Sequence, residues 1–187
     1  MKTLTYLFPL LFLVLSSCGN DDDPIIENEE EIITDVVYVL TGVDTASTVT
    51  MRFSDSDGDG PAQATTEVTG TLLPNTRYSG AISLSNLSNP SDPEDVNAEI
   101  AAEDEDHQFF YVVSGGLNAT VSYVDLDDDG NPLGLLTEVE TGAASSGSFQ
   151  VILRHEPDKS AGATIGDPSA AGGETDLSVT FAVSVGN

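Results

Sequence analysis

The two histidines of the chain are the residues whose type best suits a transition metal. His107 follows a run of acidic residues, and His155 is followed by Glu156 and Asp158. Imidazole nitrogens and carboxylate oxygens are the donors that zinc and related ions take in proteins. We therefore treat His107, His155, Glu156 and Asp158 as a candidate transition-metal set. The alternative is that each histidine is a hydrogen-bonded residue at a strand end, because the two segments are far apart in sequence.

Two acidic loops have the spacing of a hard-cation site. Segments 55–60 and 125–130 each place a carboxylate at every second position before a glycine, at Asp55, Asp57, Asp59, Asp125, Asp127 and Asp129. Alternate carboxylates can surround calcium, and the glycine permits a sharp bend. Thr66 and Leu136 stand where an EF-hand has its closing glutamate, so we expect weak calcium binding. The alternative is a pair of Asp- and Gly-rich turns.

The single cysteine, Cys18, follows an apolar run at the start of the chain. Residues 4–15 are almost wholly apolar after Lys2, which gives the flanks of a secretory signal, and the run is shorter than the ~20 residues of a membrane span. The sequence Leu-Ser-Ser-Cys at 15–18 resembles a bacterial lipobox, which implies a lipoprotein signal peptide over 1–17 and a lipid on Cys18. A cleaved secretory peptide with an incidental cysteine is the alternative. A lipidated Cys18 leaves no thiol for catalysis or metal binding.

Residues 18–31 are predicted to be the lipidated cysteine and an acidic flexible tether. The acidic cluster at 21–23 resembles the export signal of surface lipoproteins in Bacteroidota, which implies a lipid-anchored outer-membrane protein that faces outward. A solvated tether without a sorting role is the alternative. The sequence Asp-Thr-Ala at 44–46 resembles the O-glycosylation sequon of the same phylum, with Thr45 as the acceptor.

The charge of the chain argues against several classes of partner. The formal net charge is −27, and once Lys2 leaves with the signal only four basic residues oppose 32 acidic ones. Such a surface repels nucleic acid and anionic lipid, so we expect no nucleic-acid partner. The sequence has no Gly-x-Ser-x-Gly elbow, no His-Glu-x-x-His and no phosphate-binding glycine loop. We therefore expect no enzyme, although a hydrolase would need only a positioned pair of carboxylates.

Segments of period two, separated by turn residues, predict an all-β fold. In the clearest, 176–185, apolar residues from Leu177 to Val185 alternate with polar ones that begin at Asp176. Further strands are predicted at 36–40, 49–53, 64–73, 78–85, 109–113, 119–123, 135–141 and 148–154. About nine strands favour one antiparallel immunoglobulin-like β-sandwich over residues 32–187. The continuous apolar runs at 36–40 and 109–113 predict central strands that are covered on both faces.

One short helix is predicted from residue 91 onward. Ser91 and Glu94 have the spacing of a capping box, and Val96 and Ile100 would share the buried face. The acidic residues at 103–106 are unfavourable beside the negative end of a helix. Either the helix ends before them or a positive group lies there.

Four segments together resemble a group of small flavobacterial lipoproteins: 53–60, 107–111, 154–159 and 172–176. Such proteins are sometimes labelled "type 1 periplasmic binding fold", which implies two α/β lobes, whereas the strand pattern favours a single β domain. Similar lipoproteins often accompany outer-membrane receptors that depend on TonB. The resemblance implies a non-enzymatic accessory module that binds a ligand or a metal for such a receptor. A calcium-stiffened adhesion or structural module is the alternative.

Overall fold

Alternating apolar and polar residues form most of the strands of this molecule. The computed structural model describes residues 31–55 and 63–186. In chain order the elements are β1 Asp35–Gly42, β2 Thr48–Ser54, β3 Thr65–Thr69, β4 Arg77–Asn86, β5 Glu94–Asp95, α1 Val96–Ala102, β6 His107–Ser114, β7 Ala119–Tyr123, β8 Leu136–Thr141, β9 Ser145–His155 and β10 Glu174–Val185. Nine of these strands correspond to the predicted segments, and β5 is a two-residue addition.

The strands form two antiparallel sheets. The first has the order β3-β2-β1-β4-β8-β7, with β5 paired to β4, and the second has the order β10-β9-β6. Apolar residues from both sheets belong to one buried cluster, which includes Tyr38, Phe149 and Phe181. The prediction of an all-β sandwich with one short helix is therefore confirmed.

Three aromatic rings join the two sheets at the centre of the core. The ring of Tyr38 on β1 lies 5.3 Å from that of Tyr111 on β6 and 5.7 Å from that of Phe149 on β9. The hydroxyl groups are also paired, because Tyr38 Oη lies 2.6 Å from Thr137 Oγ1 and Tyr111 Oη donates to the Gly134 carbonyl at 2.6 Å. Full burial of one such ring contributes about 1.5–3 kcal/mol. This packing fixes β6 and β9, the two strands that carry the histidines.

The central-strand prediction is right for β1 and wrong for β6. β1 lies between β2 and β4, whereas β6 is at the edge of the second sheet. Its free edge is satisfied by loops, since the Phe109 N–H donates to the Leu133 carbonyl at 2.8 Å and the Tyr111 N–H donates to the Ile165 carbonyl at 2.7 Å. Both faces are still buried, with Phe110 in a second, smaller apolar cluster. A continuous apolar run therefore indicates that both faces of a strand are covered. It does not require a second neighbouring strand, because loops can satisfy the free edge.

The predicted helix is present but begins later than the sequence indicated. Asp95, rather than Ser91, is the N-cap, and its carboxylate accepts from the Asn97 N–H at 3.2 Å. Residues 94–95 pair with β4 instead of forming the first turn. Val96 and Ile100 are buried as expected. Both alternatives for the acidic end hold. The helix α1 ends at Ala102, and the positively charged Lys159 side chain donates to the Asp104 carbonyl just after it.

Several predictions concern residues outside the described ranges. They are the signal peptide 1–17, the lipid on Cys18, the tether up to residue 30, and the calcium ligands Asp57 and Asp59. Among the helices that the structure describes, none has the length and apolar character that crossing a bilayer requires.

Candidate metal centre

The two histidines lie directly opposite each other on neighbouring strands. His107 is the first residue of β6 and His155 is the last residue of β9, and the antiparallel register pairs them. Their rings stack with centroids 4.6 Å apart and an interplanar angle of 24°. Both residues are buried. The strand pairing therefore brings together two side chains that are far apart in sequence.

Glu31 supplies a carboxylate to this pair from the segment before β1. Its Oε1 lies 2.7 Å from Nε2 of His107, and its Oε2 lies 3.9 Å from Nδ1 of His155. The Glu31 side chain is only 6% exposed. Oε2 has no hydrogen-bond partner within the described chain, and the contact of His107 Nε2 does not have the direction of a hydrogen bond. Glu31 Oε2 and His107 Nε2 therefore lie close to neighbouring polar atoms but keep unused hydrogen-bonding capacity within the described chain.

Asp176 completes the group through a break in the strand ladder. Pairing between β10 and β9 shifts register between Thr175 and Leu177, so Asp176 is the extra residue of a β-bulge. Its side chain is fully buried, and Oδ1 lies 3.9 Å from Nδ1 of His155. Simple alternation would place Asp176 on the solvent face, as the sequence predicted. The bulge turns the carboxylate inward, which corrects that expectation.

A backbone carbonyl fixes the protonation pattern of His107. Nδ1 lies 3.0 Å from the Glu103 carbonyl oxygen, which can only accept, so Nδ1 carries the hydrogen. In the neutral ring Nε2 then carries no hydrogen, and it lies 2.7 Å from Glu31 Oε1. Both atoms are then acceptors and repel each other, and either a proton on Nε2 or a cation beside the two atoms removes the repulsion. A histidine that binds a metal through one ring nitrogen usually donates the N–H of its other ring nitrogen to such a carbonyl.

The contact between His107 and Glu31 also shifts the pKa values of both side chains. Burial alone lowers the pKa of His107 and raises the pKa of Glu31. The facing carboxylate, helped by the Glu103 carbonyl and Asp176, outweighs burial and raises the pKa of His107. At Glu31 burial would raise the pKa of the carboxyl group, but His107 and the more distant His155 outweigh it and lower that pKa. The group therefore attracts positive charge.

The four side chains have the donor set of a transition-metal ion. Glu31, His107, His155 and Asp176 each offer one donor atom, and these atoms all lie within 4.8 Å of one another; we call this group the His–carboxylate centre. Zinc bonds of ~2.1 Å at tetrahedral angles put ligand atoms about 3.4 Å apart. The separations of 2.7 and 3.9 Å lie on either side of that value. Within residues 31–55 and 63–186, no other group of three or more such side chains converges in this way.

The structure brings together two of the four predicted transition-metal ligands and leaves two apart. Glu156 is exposed, and its φ of +48° belongs to a turn that redirects the chain after β9. Asp158 is also exposed, and its Oδ1 accepts from the Ser160 N–H and hydroxyl at 3.0 and 2.6 Å. Neither is part of the His–carboxylate centre. Sequence proximity to His155 was therefore the wrong guide to its partners.

The second acidic loop is held by groups of the protein itself. Asp125 accepts from the Gly134 N–H at 2.9 Å and from the Leu136 N–H at 3.0 Å. Asp127 accepts from the Asn131 N–H at 2.7 Å and from Lys159 Nζ at 2.7 Å. We call this group the Asp–Lys loop.

Asp129, the third predicted calcium ligand of this loop, is exposed. Lys159 Nζ also donates to the Asp104 carbonyl at 2.6 Å, just after α1. The lysine therefore supplies positive charge both to the loop and to the acidic end of the helix.

Two further predicted residues lie at separate places on the surface. Asp55 follows β2, where its N–H donates to the Thr34 carbonyl at 2.7 Å and its Oδ1 is buried without a hydrogen-bond partner in the described chain. Thr45 lies in the exposed turn between β1 and β2, and its Oγ1 accepts from the Ser47 N–H at 3.3 Å. Calcium at Asp55 and glycosylation of Thr45 both remain predictions.

Sequence reasoning missed Glu31 and Asp176. Glu31 is the last residue of the segment assigned to the tether, and no pattern distinguishes it from its acidic neighbours. Asp176 carried one available signal, since Gly172 and Gly173 precede it and glycines often accompany irregular pairing. Both glycines have positive φ, and a side chain on Gly173 would collide with the carbonyls of His155 and Glu156.

Comparisons with known proteins add no relative. A scan against protein-family models, a search of curated proteins and a search of solved structures all found no match.

Proposed function

We propose that this chain is a non-enzymatic, lipid-anchored envelope protein whose β-sandwich binds a divalent transition-metal ion of the zinc class. The observation that carries the proposal is the buried convergence of Glu31, His107, His155 and Asp176. The lipobox at Cys18 and the acidic residues after it support an outer-membrane anchor that faces outward. The role is that of an accessory module beside an outer-membrane receptor, as the resemblance to flavobacterial lipoproteins implies.

Charge favours a divalent ion over a single proton in the His–carboxylate centre. Glu31 and Asp176 together carry two negative charges when ionised, and a divalent ion balances both while the two imidazoles stay neutral. Burial of ionised carboxylates favours positive charge beside them. The balance of these four side chains therefore supports an ion with two positive charges.

The donor types favour zinc or a related ion over calcium. Calcium takes six to eight oxygen ligands, whereas imidazole nitrogen suits zinc, copper, nickel and iron. Two of the four donors here are imidazole nitrogens. The outer contact from His107 to the Glu103 carbonyl orients the ring for a bond through Nε2.

Burial supports a binding role rather than catalysis. Catalytic zinc sites use three protein ligands and keep a position for water, whereas structural sites are closed by four. His107 and the Asp176 side chain are fully buried. A closed site of four protein donors holds an ion without offering it to a substrate.

The test is metal binding by the mature chain, residues 18–187, at neutral pH. Cobalt(II) reports tetrahedral coordination through its visible absorption, and zinc then displaces it. We expect one ion per chain and loss of the cobalt spectrum in His107→Ala. Glu156→Gln is the matched control, because it removes an exposed acid beside His155 and should bind as the unsubstituted chain does. If neither ion binds, the His107–Glu31 contact is closed by a proton and the proposal fails. The proposal also fails if His107→Ala binds cobalt as well as the unsubstituted chain does.

A further inference from the structure

The ring orientation of His107 depends on a short turn that lies directly before β6. This turn is a 3₁₀ helix, Asp104–Asp106, between α1 and β6. The Glu103 carbonyl at its start accepts from the Asp106 N–H at 3.0 Å and lies 3.0 Å from Nδ1 of His107. Because one carbonyl oxygen contacts both groups, the position of the turn determines the direction in which His107 presents Nε2.

The charges of this turn oppose its position. All three of its residues are acidic, and they follow the negative C-terminal end of α1. The negative charges of Asp129 and of the adjacent acids raise the pKa of the Glu105 carboxyl group. The turn and the Asp–Lys loop are therefore close enough to repel each other, and a cation between them offsets this repulsion.

Lys159 is the cation at this position. Its Nζ donates to the Asp104 carbonyl at 2.6 Å and to Asp127 Oδ2 at 2.7 Å. The lysine side chain is only 6% exposed. One ammonium group therefore joins the turn to the Asp–Lys loop at a buried place, where solvent and salt screen its charge least.

A backbone hydrogen bond ties the same turn to the end of β9. The Glu156 N–H donates to the Asp106 carbonyl at 2.7 Å, next to the paired histidines. The turn is therefore anchored at its last residue by the backbone and at its first residue, Asp104, by Lys159. The carbonyl that Lys159 holds is adjacent in the chain to that of Glu103, which contacts the His107 ring.

We propose that Lys159 is a positioning residue of the His–carboxylate centre, which acts by holding the turn whose Glu103 carbonyl orients His107. The inference rests on the proposed function, because it concerns the affinity of that centre for an ion. Lys159 is not itself a ligand, since an ammonium group has no acceptor for a cation. It fixes the His107 ring before the ion arrives, so less conformational freedom is lost on binding.

Zinc affinity of the mature chain, residues 18–187, tests this role through a pair of variants. Asp127→Asn is the control, because it removes the charge partner in the loop and keeps the ammonium beside the Asp104 carbonyl. We expect it to bind zinc as the unsubstituted chain does. The double variant Asp127→Asn/Lys159→Met leaves no unpaired carboxylate in the loop, so it should still fold. We expect it to bind zinc about tenfold more weakly, the lower end of the range for outer contacts of a metal ligand.

A second measurement needs no metal and separates orientation from stability. In the metal-free chain, at a pH where the imidazole rings are neutral, nitrogen NMR distinguishes a hydrogen on Nδ1 of His107 from one on Nε2. We expect the Nδ1 form in the unsubstituted chain and in Asp127→Asn, and a mixture of the two forms in the double variant. A substitution that only lowers stability would leave the Nδ1 form in the folded molecules.

The outcomes distinguish this inference from the proposed function. Equal zinc affinity of Asp127→Asn and the double variant would overturn the role of Lys159 and leave the proposed function intact. An unchanged Nδ1 form of His107 in the double variant would do the same. Absence of zinc binding by the unsubstituted chain would overturn both.

Discussion

The His–carboxylate centre and the Asp–Lys loop both bury carboxylates, but they differ in the source of positive charge. In the Asp–Lys loop, Lys159 lies 2.7 Å from Asp127, and backbone N–H groups occupy both carboxylates. In the His–carboxylate centre, His107 faces Glu31 at 2.7 Å, and Glu31 Oε2 has no hydrogen-bond partner within the described chain. The first region carries its own cation, whereas the second has a donor set for an external one.

This difference leads us to expect different ion binding from two groups that are both rich in carboxylates. The loop at 125–130 resembles the start of a calcium site, yet its geometry serves a turn that a lysine completes. The other group has no motif at all, because its members come from four separate segments of the chain. Convergence in space and unused donor capacity are the features by which we expect an ion site to differ from a charged turn.

Removal of Lys159 should give the largest effect on this comparison. Lys159→Met leaves the fully buried Asp127 side chain without its cation, and loss of one partner from a buried pair costs about 3–5 kcal/mol of unfolding free energy. Denaturant unfolding measures this loss. Arg77→Met is the matched control, because Arg77 and Glu138 form an exposed pair at 3.7 Å, worth about 0–1 kcal/mol. Equal costs for the two variants would show that Lys159 does not neutralise the loop.

Zinc and calcium should distinguish the two regions in the unsubstituted chain. An ion at a hundredfold excess over its dissociation constant adds about 2.7 kcal/mol, or a rise in melting temperature of roughly 5–10 °C for a domain of this size. We expect this rise with zinc and a smaller one with calcium at matched ionic strength, since Lys159 already serves Asp127. The same titration tests the calcium prediction for the loop at 55–60. A calcium shift as large as that of zinc would contradict the comparison.

The acid dependence that the Asp–Lys loop contributes should be the smallest of these effects. Burial raises the pKa of Asp127, but the ammonium of Lys159 and the Asn131 groups outweigh it, so the folded-state pKa lies below the ordinary value of 3.8. The unfolded chain then binds more protons over that interval, and stability rises with pH. The contribution is complete above about pH 3.8 and is lost as the pH falls through the folded-state pKa.

The stability difference between the unsubstituted chain and Asp127→Asn reports this contribution. We expect denaturant unfolding to show a constant difference above pH 3.8 and a shrinking one below it. A difference that stays constant into strong acid would mean that the Asp127 carboxylate is not stabilised by its charge.

The sequence was sufficient for most of the fold because strand alternation is local. The apolar positions of β4, β9 and β10 could be read directly, and Val96 and Ile100 identified the buried face of the helix. The start of α1 was misplaced because Glu94 and Asp95 pair with β4, a tertiary contact that capping rules do not include.

The centre could be predicted only in part because it depends on non-local pairing. The residue types of His107 and His155 indicated a metal, but their register is set by the whole β6–β9 ladder. Asp176 was assigned to solvent because alternation has no allowance for an extra residue. Glu31 belongs to no periodic segment, so only the folded chain shows that it is buried.

The bulge at Asp176 also has a consequence for how such a centre can arise or disappear. One residue more or less between Thr175 and Leu177 decides whether β10 keeps its two-residue repeat against β9. Deleting the extra residue would restore the repeat, leave the apolar positions from Leu177 onward in place and remove the inward carboxylate. A single-codon insertion or deletion at this point is therefore sufficient to add or remove a ligand without rebuilding the sandwich.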